Sequence, residues 1–220
     1  MSTLAILPVK SFGAAKQRLA PALPGGSRRA LAQAMLSDVL GSLGRISGVD
    51  AVVVVTADEL AASAARNAGA EVVADTEQAG QSPAANLGVS HAGPRGYERV
   101  LLVPGDTPLL DPGEVDGLLR RADAEQIGIV VVPDRHGEGT NALLLSPPDV
   151  IEPSFGPGSL RRHVEAAAAS GVAHRVEHLP SLMLDIDTSS DLTELVRVLE
   201  NSHGQAPSTR AALRRAAVPA

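Results

Sequence analysis

Three aspartates and two lysines carry the chemistry this sequence could perform. Asp106 closes the run RVLLVPGD: Val100 to Val103 are apolar, Pro104-Gly105 ends strand pairing, and the acid follows. In open α/β sheets ligands bind beyond the carboxyl ends of the strands. Asp106 is therefore expected where a metal or a phosphate-bearing ligand would lie. The competing explanation is a turn aspartate that accepts backbone N–H groups. Asp185 and Asp187 form the second acidic place, at the end of LMLDID. If that stretch is a strand, residues i and i+2 point to one face. Two carboxylates on one face repel unless a cation lies between them. A hard divalent ion such as Mg2+ takes such oxygens together with substrate phosphates, and Asp106 could supply the other side. Local helix capping is the alternative, but Thr188 is expected to fill that role already.

The basic residues are Arg throughout except at Lys10 and Lys16, both in the loop KSFGAAKQRLAPAL. A compact ammonium and a planar guanidinium are not interchangeable, although two residues can fall together by chance. With Arg18 these lysines can offer fixed positive charge to a triphosphate. The loop is not a Walker A: it holds one glycine, Gly13, and no GK[ST]. No G-x-G-x-x-G and no nucleophile elbow occur. His91, His136, His163, His174 and His178 lack zinc-type spacing and are expected at the surface or in the core. The missing nucleophile and base are informative beside the acids. A substrate phosphate is already mostly ionised at neutral pH, since its second pKa is about 6, and it needs no base to attack. Catalysis then reduces to neutralising phosphates and aligning an in-line displacement.

The elements that must position these residues can be read from apolar periodicity. TLAILPV (Thr3–Val9) is expected as a buried first strand. Ser27 is the expected cap of a helix from Arg28 to Arg45, with Leu31, Met35, Val39 and Leu43 on one face. Strands are expected at Val49–Thr56, Ala70–Asp75 and Arg99–Val103. A helix lies over Asp58–Ala68, and Ser82-Pro83 looks like the cap and first position of another, Ala84–Ala92, which carries Asn86. Asp111-Pro112-Gly113-Glu114 resembles a capping box. Ile127–Pro133 and Asn141–Leu145, joined by DRHGEG, favour a hairpin. A helix over Gly158–Ser170 and strands at Ala173–His178 and Leu182–Asp187 follow. A capped helix after Thr188 closes the series. Strands alternating with helices imply an α/β fold with a mostly parallel, doubly wound sheet and an antiparallel edge hairpin. Residues 1–201 are expected as one domain and 202–220 as a flexible tail.

Composition bounds the partners. The 220 residues include one Tyr, two Phe, no Trp and no Cys, so the core must be aliphatic and Cys-ligated zinc is excluded. A net charge of −6 disfavours nucleic acid and anionic membrane as partners. No apolar run approaches the roughly 18 residues of a spanning helix. Met1–Lys10 lacks the basic and long apolar regions of a leader. A cytoplasmic protein is expected, its oligomeric state open.

LPVKSFGAAKQRLAP, VPGDTPLL, SFGPGS and LDIDT occur in this order. Together they resemble the guanylyltransferases of deazaflavin-coenzyme F420 biosynthesis, which attach GMP to phosphoenolpyruvate or to 2-phospho-L-lactate. The resemblance spans Leu4 to Leu199. It implies a single GT-A-like, Rossmann-like nucleotidyltransferase domain acting on GTP and a phosphorylated three-carbon acid. It further implies Mg2+ on Asp106, Asp185 and Asp187, and acid contacts from Thr140, Gly156 and Ser159. Lys10, Lys16, Arg18 and Asn86 would meet the nucleotide, with Lys16 and Asp106 as the catalytic pair. Asn86 follows Ala85 where the family often has Leu, and it could equally be a surface residue. Phosphoenolpyruvate is the favoured acceptor, because an Ala- and Arg-rich, Lys-poor chain suggests a bacterial source. Three other readings stay open: another small-molecule nucleotidyltransferase of sugar-phosphate or molybdopterin type, a GT-A glycosyltransferase, and a nucleotide sensor without turnover.

Overall fold

In the computed structural model, which describes residues 1–13, 16–202 and 204–216, a seven-stranded sheet runs in the order β3-β2-β1-β4-β6-β5-β7. The strands are β1 Thr3–Val9, β2 Ala51–Thr56, β3 Glu71–Ala74, β4 Arg99–Leu102, β5 Ile129–Pro133, β6 Thr140–Leu145 and β7 His174–Val176. β1 to β4 pair in parallel, and β7 pairs in parallel with β5. β6 is antiparallel to both its neighbours, β4 and β5. The expected hairpin is therefore present, but β7 covers its outer side.

Both faces of the sheet are covered, which is why β1, β4, β5 and β6 read as unbroken apolar runs. One face packs Ala5, Leu7, Val54 and Leu101 against α1 (Gly25–Leu43), α2 (Glu59–Asn67) and α4 (Pro112–Ala124). The other packs Leu4, Ile6, Val53 and Leu102 against α3 (Gln81–Ala92) and α5 (Ser159–Ser170). α3 lies so close to β1 that a Cβ at Gly88 would stand 2.4 Å from Ile6 Cγ2; this helix position requires glycine.

Helix ends differ from expectation at two places. α1 starts at Gly25 behind Pro24, two residues before Ser27, which caps nothing. α3 starts at Gln81 behind Gly80, and the Ser82 hydroxyl instead accepts the N–H of Phe155 at 2.8 Å. Asp58 caps α2, a role its position did not announce. Asp111 caps α4, but Glu114 bonds Ser181 N–H in place of closing the expected box. Thr188 caps as expected and makes a full capping box with Asp191 for α6 (Ser189–Asn201).

Two larger corrections concern the C-terminal part. Leu182–Asp187 is not a strand: a 3-10 turn covers Pro180–Leu182, and the following residues join no ladder. Single backbone bonds fix this segment instead, from Ile186 N–H to Asp106 O at 3.2 Å and from Arg135 N–H to Met183 O at 2.9 Å. The segment after Asn201 is not a free tail either. Pro207–Ala216 forms α7, docked on α1, and the Asp38 carboxylate accepts the N–H groups of Ser208 and Thr209 at 3.0 and 2.8 Å. Its inward residues Ala212, Leu213 and Ala216, with Ala206 just before it, join a third cluster with Met35, Leu184, Ile186 and Leu195. Mostly alanine, they leave a weak apolar period in the sequence. Residues 217–220 lie outside the described residues. Among the described residues no helix is long and apolar enough to cross a membrane.

Candidate active site

The strand order reverses between β1 and β4, so the loops after these two strands splay apart and leave a crevice at their carboxyl ends. A cleft of about 810 Å³ opens there, within the size range of ligand pockets, roughly 300–1,000 Å³. Lys10, Lys16 and Arg18 enter it from the loop after β1, and Pro104-Gly105-Asp106 from the loop after β4. Because β6 runs against β4, its first residue, Thr140, arrives at the same end of the sheet. Gly156 comes from the loop before α5 and Ser159 from the start of that helix, and Asp185 and Asp187 from the segment before α6. Every expected site residue but one therefore lines one cleft. The exception is Asn86, whose amide donates to Glu152 Oε1 at 3.0 Å outside it.

The acids and Lys16 form one electrostatic unit. The Lys16 side chain is 8 % exposed; its ammonium bonds Asp106 Oδ2 and lies 3.0 Å from Asp187 Oδ1. Burial alone would lower the Lys16 pKa, but Asp106 and Asp187 together outweigh it and hold the ammonium above its usual range. Asp185 is partly buried, and its carboxyl is pushed up to about 6, first by that burial and next by Asp106. The Asn141 amide, 3.2 Å from Asp185 Oδ1, pulls the other way.

Lys16 thus pairs with two of the three carboxylates, and the third, Asp185, resists ionising beside them. Additional positive charge would relieve that crowding, and hard oxygen donors suit a divalent cation of the Mg2+ kind. Among the described residues, no three acids or histidines already stand in ligating geometry. Lys16 instead spans Asp106 and Asp187, so an ion bound between them requires its ammonium to swing aside.

Several residues shape the cleft in ways that the sequence pattern did not show. β6 pairs Ala142 with Val132 and Thr140 with Pro133, so Asn141 is the extra residue of a bulge. A bulge re-aims side chains; the consecutive Thr140 and Asn141 both line the cleft, where a regular strand would send them to opposite faces. Asn141 then holds Asp185. Asp191, buried in the first turn of α6, accepts the N–H groups of Asp187 and Thr188 and pairs with Arg135 from the β5–β6 loop. Its carboxyl is held below its usual range, since the Thr188 and Asp187 bonds outweigh its burial. Asp58 accepts Phe12 N–H at 2.8 Å and so fixes the start of the lysine loop while capping α2.

The opposite wall is the turn that leads into α5. Gly156 has φ +102, a left-handed conformation that suits glycine, and its carbonyl accepts Ser159 N–H at 3.0 Å. The Arg162 guanidinium donates to the carbonyls of Ser154, Phe155 and Pro157, which stiffens this loop. Ser159 heads α5, where a helix N-terminus favours negative charge.

With this geometry in place, likeness to known proteins becomes informative. The family model described as "Guanylyl transferase CofC like" matches residues 3–218. A phosphoenolpyruvate guanylyltransferase from Conexibacter woesei is 49% identical over 97% of this chain and 96% of its own length. A 2-phospho-L-lactate guanylyltransferase from Methanothermobacter thermautotrophicus is 34% identical over 93% of this chain and 89% of its own. A solved structure from Desulfovibrio desulfuricans G20, described as a nucleotide-diphospho-sugar transferase, superposes with a TM-score of 0.77 at 20% identity. It covers 98% of this chain, and this chain covers 95% of it. At that identity the likeness speaks to fold alone.

Proposed function

The chain belongs to the family of CofC-like guanylyl transferases, and from that premise we propose that it transfers GMP from GTP to the phosphate of phosphoenolpyruvate, releasing pyrophosphate, in deazaflavin coenzyme F420 biosynthesis. The observation that carries this reading is the single cleft in which Lys16, Asp106, Asp185 and Asp187 face Thr140, Gly156 and Ser159. One wall suits a metal-bound triphosphate, the other a small anion.

An acceptor phosphate oxygen attacks the α-phosphorus of GTP. A phosphoanhydride forms, the bond to the β-phosphate breaks, and pyrophosphate leaves. The attacking oxygen is already ionised, so the chain needs no general base. Mg2+, when held by Asp106, Asp185 and Asp187, would supply charge neutralisation on the phosphates and a template for the in-line displacement. Lys16, released from Asp106 and Asp187, turns to the triphosphate and offsets charge that builds up on the departing pyrophosphate. Lys10 and Arg18, both exposed at the rim, meet the incoming nucleotide. Thr140, Gly156 and Ser159 orient the acid so that its phosphate points at the acids across the cleft.

The test is pyrophosphate release with GTP, ATP, CTP or UTP, each with and without phosphoenolpyruvate and Mg2+. Release that needs GTP, the acid and the metal together supports the reading. Release with a nucleotide sugar as the better donor, or binding of GTP without turnover, would replace it with a glycosyltransferase or a sensor.

A further inference from the structure

We propose that His163 is a positioning residue for the acceptor side of the cleft: it holds the Thr140 hydroxyl with its proton free, so that Thr140 meets the ligand as a hydrogen-bond donor. This inference rests on the assignment of Thr140 to the phosphorylated acid.

His163 lies on α5, fully buried behind the cleft wall. The backbone N–H of Ser154 points at its Nε2 from 2.8 Å. An amide can only donate, so Nε2 carries a lone pair and no proton. Burial, with the neighbouring Arg162 adding to it, depresses the imidazole pKa to about 4, so the ring is neutral. Its one proton must then sit on Nδ1, which lies 2.9 Å from Thr140 Oγ1. Nδ1 donates and Oγ1 accepts. The hydroxyl proton of Thr140 has no partner among the described residues, while Thr140 itself lines the cleft.

Ser159 repeats the arrangement. Its Oγ accepts the Thr140 N–H at 2.9 Å, which leaves its own proton free as well. Two neighbouring hydroxyls thus have an acceptor site occupied by the fold and a donor left over. A phosphate or carboxylate only accepts hydrogen bonds, so it matches this wall, and a hydroxylic ligand matches it less well. The Phe155 ring meets His163 edge-on, with centroids 5.2 Å apart, and fixes the plane in which Nδ1 reaches Thr140. A histidine that merely filled core volume would need neither bond.

The test compares His163→Phe, His163→Asn, His163→Gln, Thr140→Val and the double variant His163→Phe/Thr140→Val. KM for phosphoenolpyruvate, KM for GTP, kcat and Tm are measured for each. Removing one neutral hydrogen bond predicts a rise of about 3- to 10-fold in KM for the acid with His163→Phe, KM for GTP being unchanged. His163→Asn, whose amide can donate from the place of Nδ1, should restore most of the loss; His163→Gln, whose amide lies nearer the place of Nε2, should not. His163→Phe should add nothing to Thr140→Val. If His163→Phe does not fold, the Asn and Gln variants decide alone. A raised acid KM in Thr140→Val with no change in the His163 variants overturns the positioning role only. So do equal defects in Asn and Gln, or losses that multiply in the double variant. An unchanged acid KM in Thr140→Val overturns the assignment of the acid wall itself, and the role of His163 with it.

Discussion

The ammonium nitrogen of Lys16 stands 3.0 Å from Oδ1 of Asp187, 171 residues further along the chain, and bonds Asp106 with the same group. Without ligand, this lysine is the counter-ion of the acidic cluster. In the proposed reaction, a divalent cation would replace it beside the acids and Lys16 would turn to a phosphate.

Asp106 and Asp185 should each be indispensable for turnover. Asp106→Asn and Asp185→Asn remove charge while keeping shape, and losing such a stabiliser should lower kcat roughly 100- to 1,000-fold. Circular dichroism should remain that of the parent. Near-normal turnover of either variant at equal Mg2+ removes that residue from the proposed metal site.

Lys16→Ala should act on the nucleotide rather than on the acid. A charge-assisted hydrogen bond is worth ~1.5–3 kcal/mol, so kcat/KM for GTP should fall roughly 10- to 150-fold. The dependence on acid concentration should shift far less. An unchanged GTP dependence refutes the phosphate role.

Asp185 also ties stability to pH. Its carboxyl ionises at about 6 in the fold and near 3.8 without the fold's influence. Above about pH 6 it is charged in both states, and the folded protein carries the full penalty. Between those values the folded chain keeps a proton that the unfolded chain has lost, so the penalty shrinks as pH falls. A displacement of about two units corresponds to roughly 3 kcal/mol. In chelator, Asp185→Asn should therefore melt higher than the parent at about pH 8, and the gap should close between about pH 6 and pH 4. A gap that does not vary with pH would mean that Asp185 is not held under this strain.

The cleft was largely legible from residue order, because its acids and lysines follow apolar runs whose ends can be read directly. Asp106 and Lys16 are of this kind. What could not be read depends on contacts between distant segments. Asp185 and Asp187 share the cleft not through strand alternation but through one backbone bond from Ile186 to Asp106 and the grip of Asp191. Asn141 enters through a bulge, which is a property of two paired strands and not of one. α7 was hidden because alanines cover its inner face, and the groups that start it are satisfied by Asp38 on another helix.

That distant cap makes a stability prediction. Asp38→Ala strips the first turn of α7 of its acceptor, and loss of an N-terminal cap costs about 1–2 kcal/mol. Limited proteolysis should then cut near Gln205 to Arg215 sooner than in the parent, with Tm lowered. Equal cleavage rates would show that α7 docks without Asp38.

The most direct measurement sets phosphoenolpyruvate against 2-phospho-L-lactate, at equal concentration and with limiting GTP, in one reaction followed by mass. The acids carry the same charged groups and differ at carbon two, planar in one and tetrahedral in the other. A difference of that size is worth ~1–3 kcal/mol, or roughly 5- to 150-fold in product ratio. Guanylylated phosphoenolpyruvate in excess, with one pyrophosphate per product, is the expected result. Excess guanylylated lactate would overturn the choice of acceptor, and the absence of any guanylylated acid would contradict the central claim.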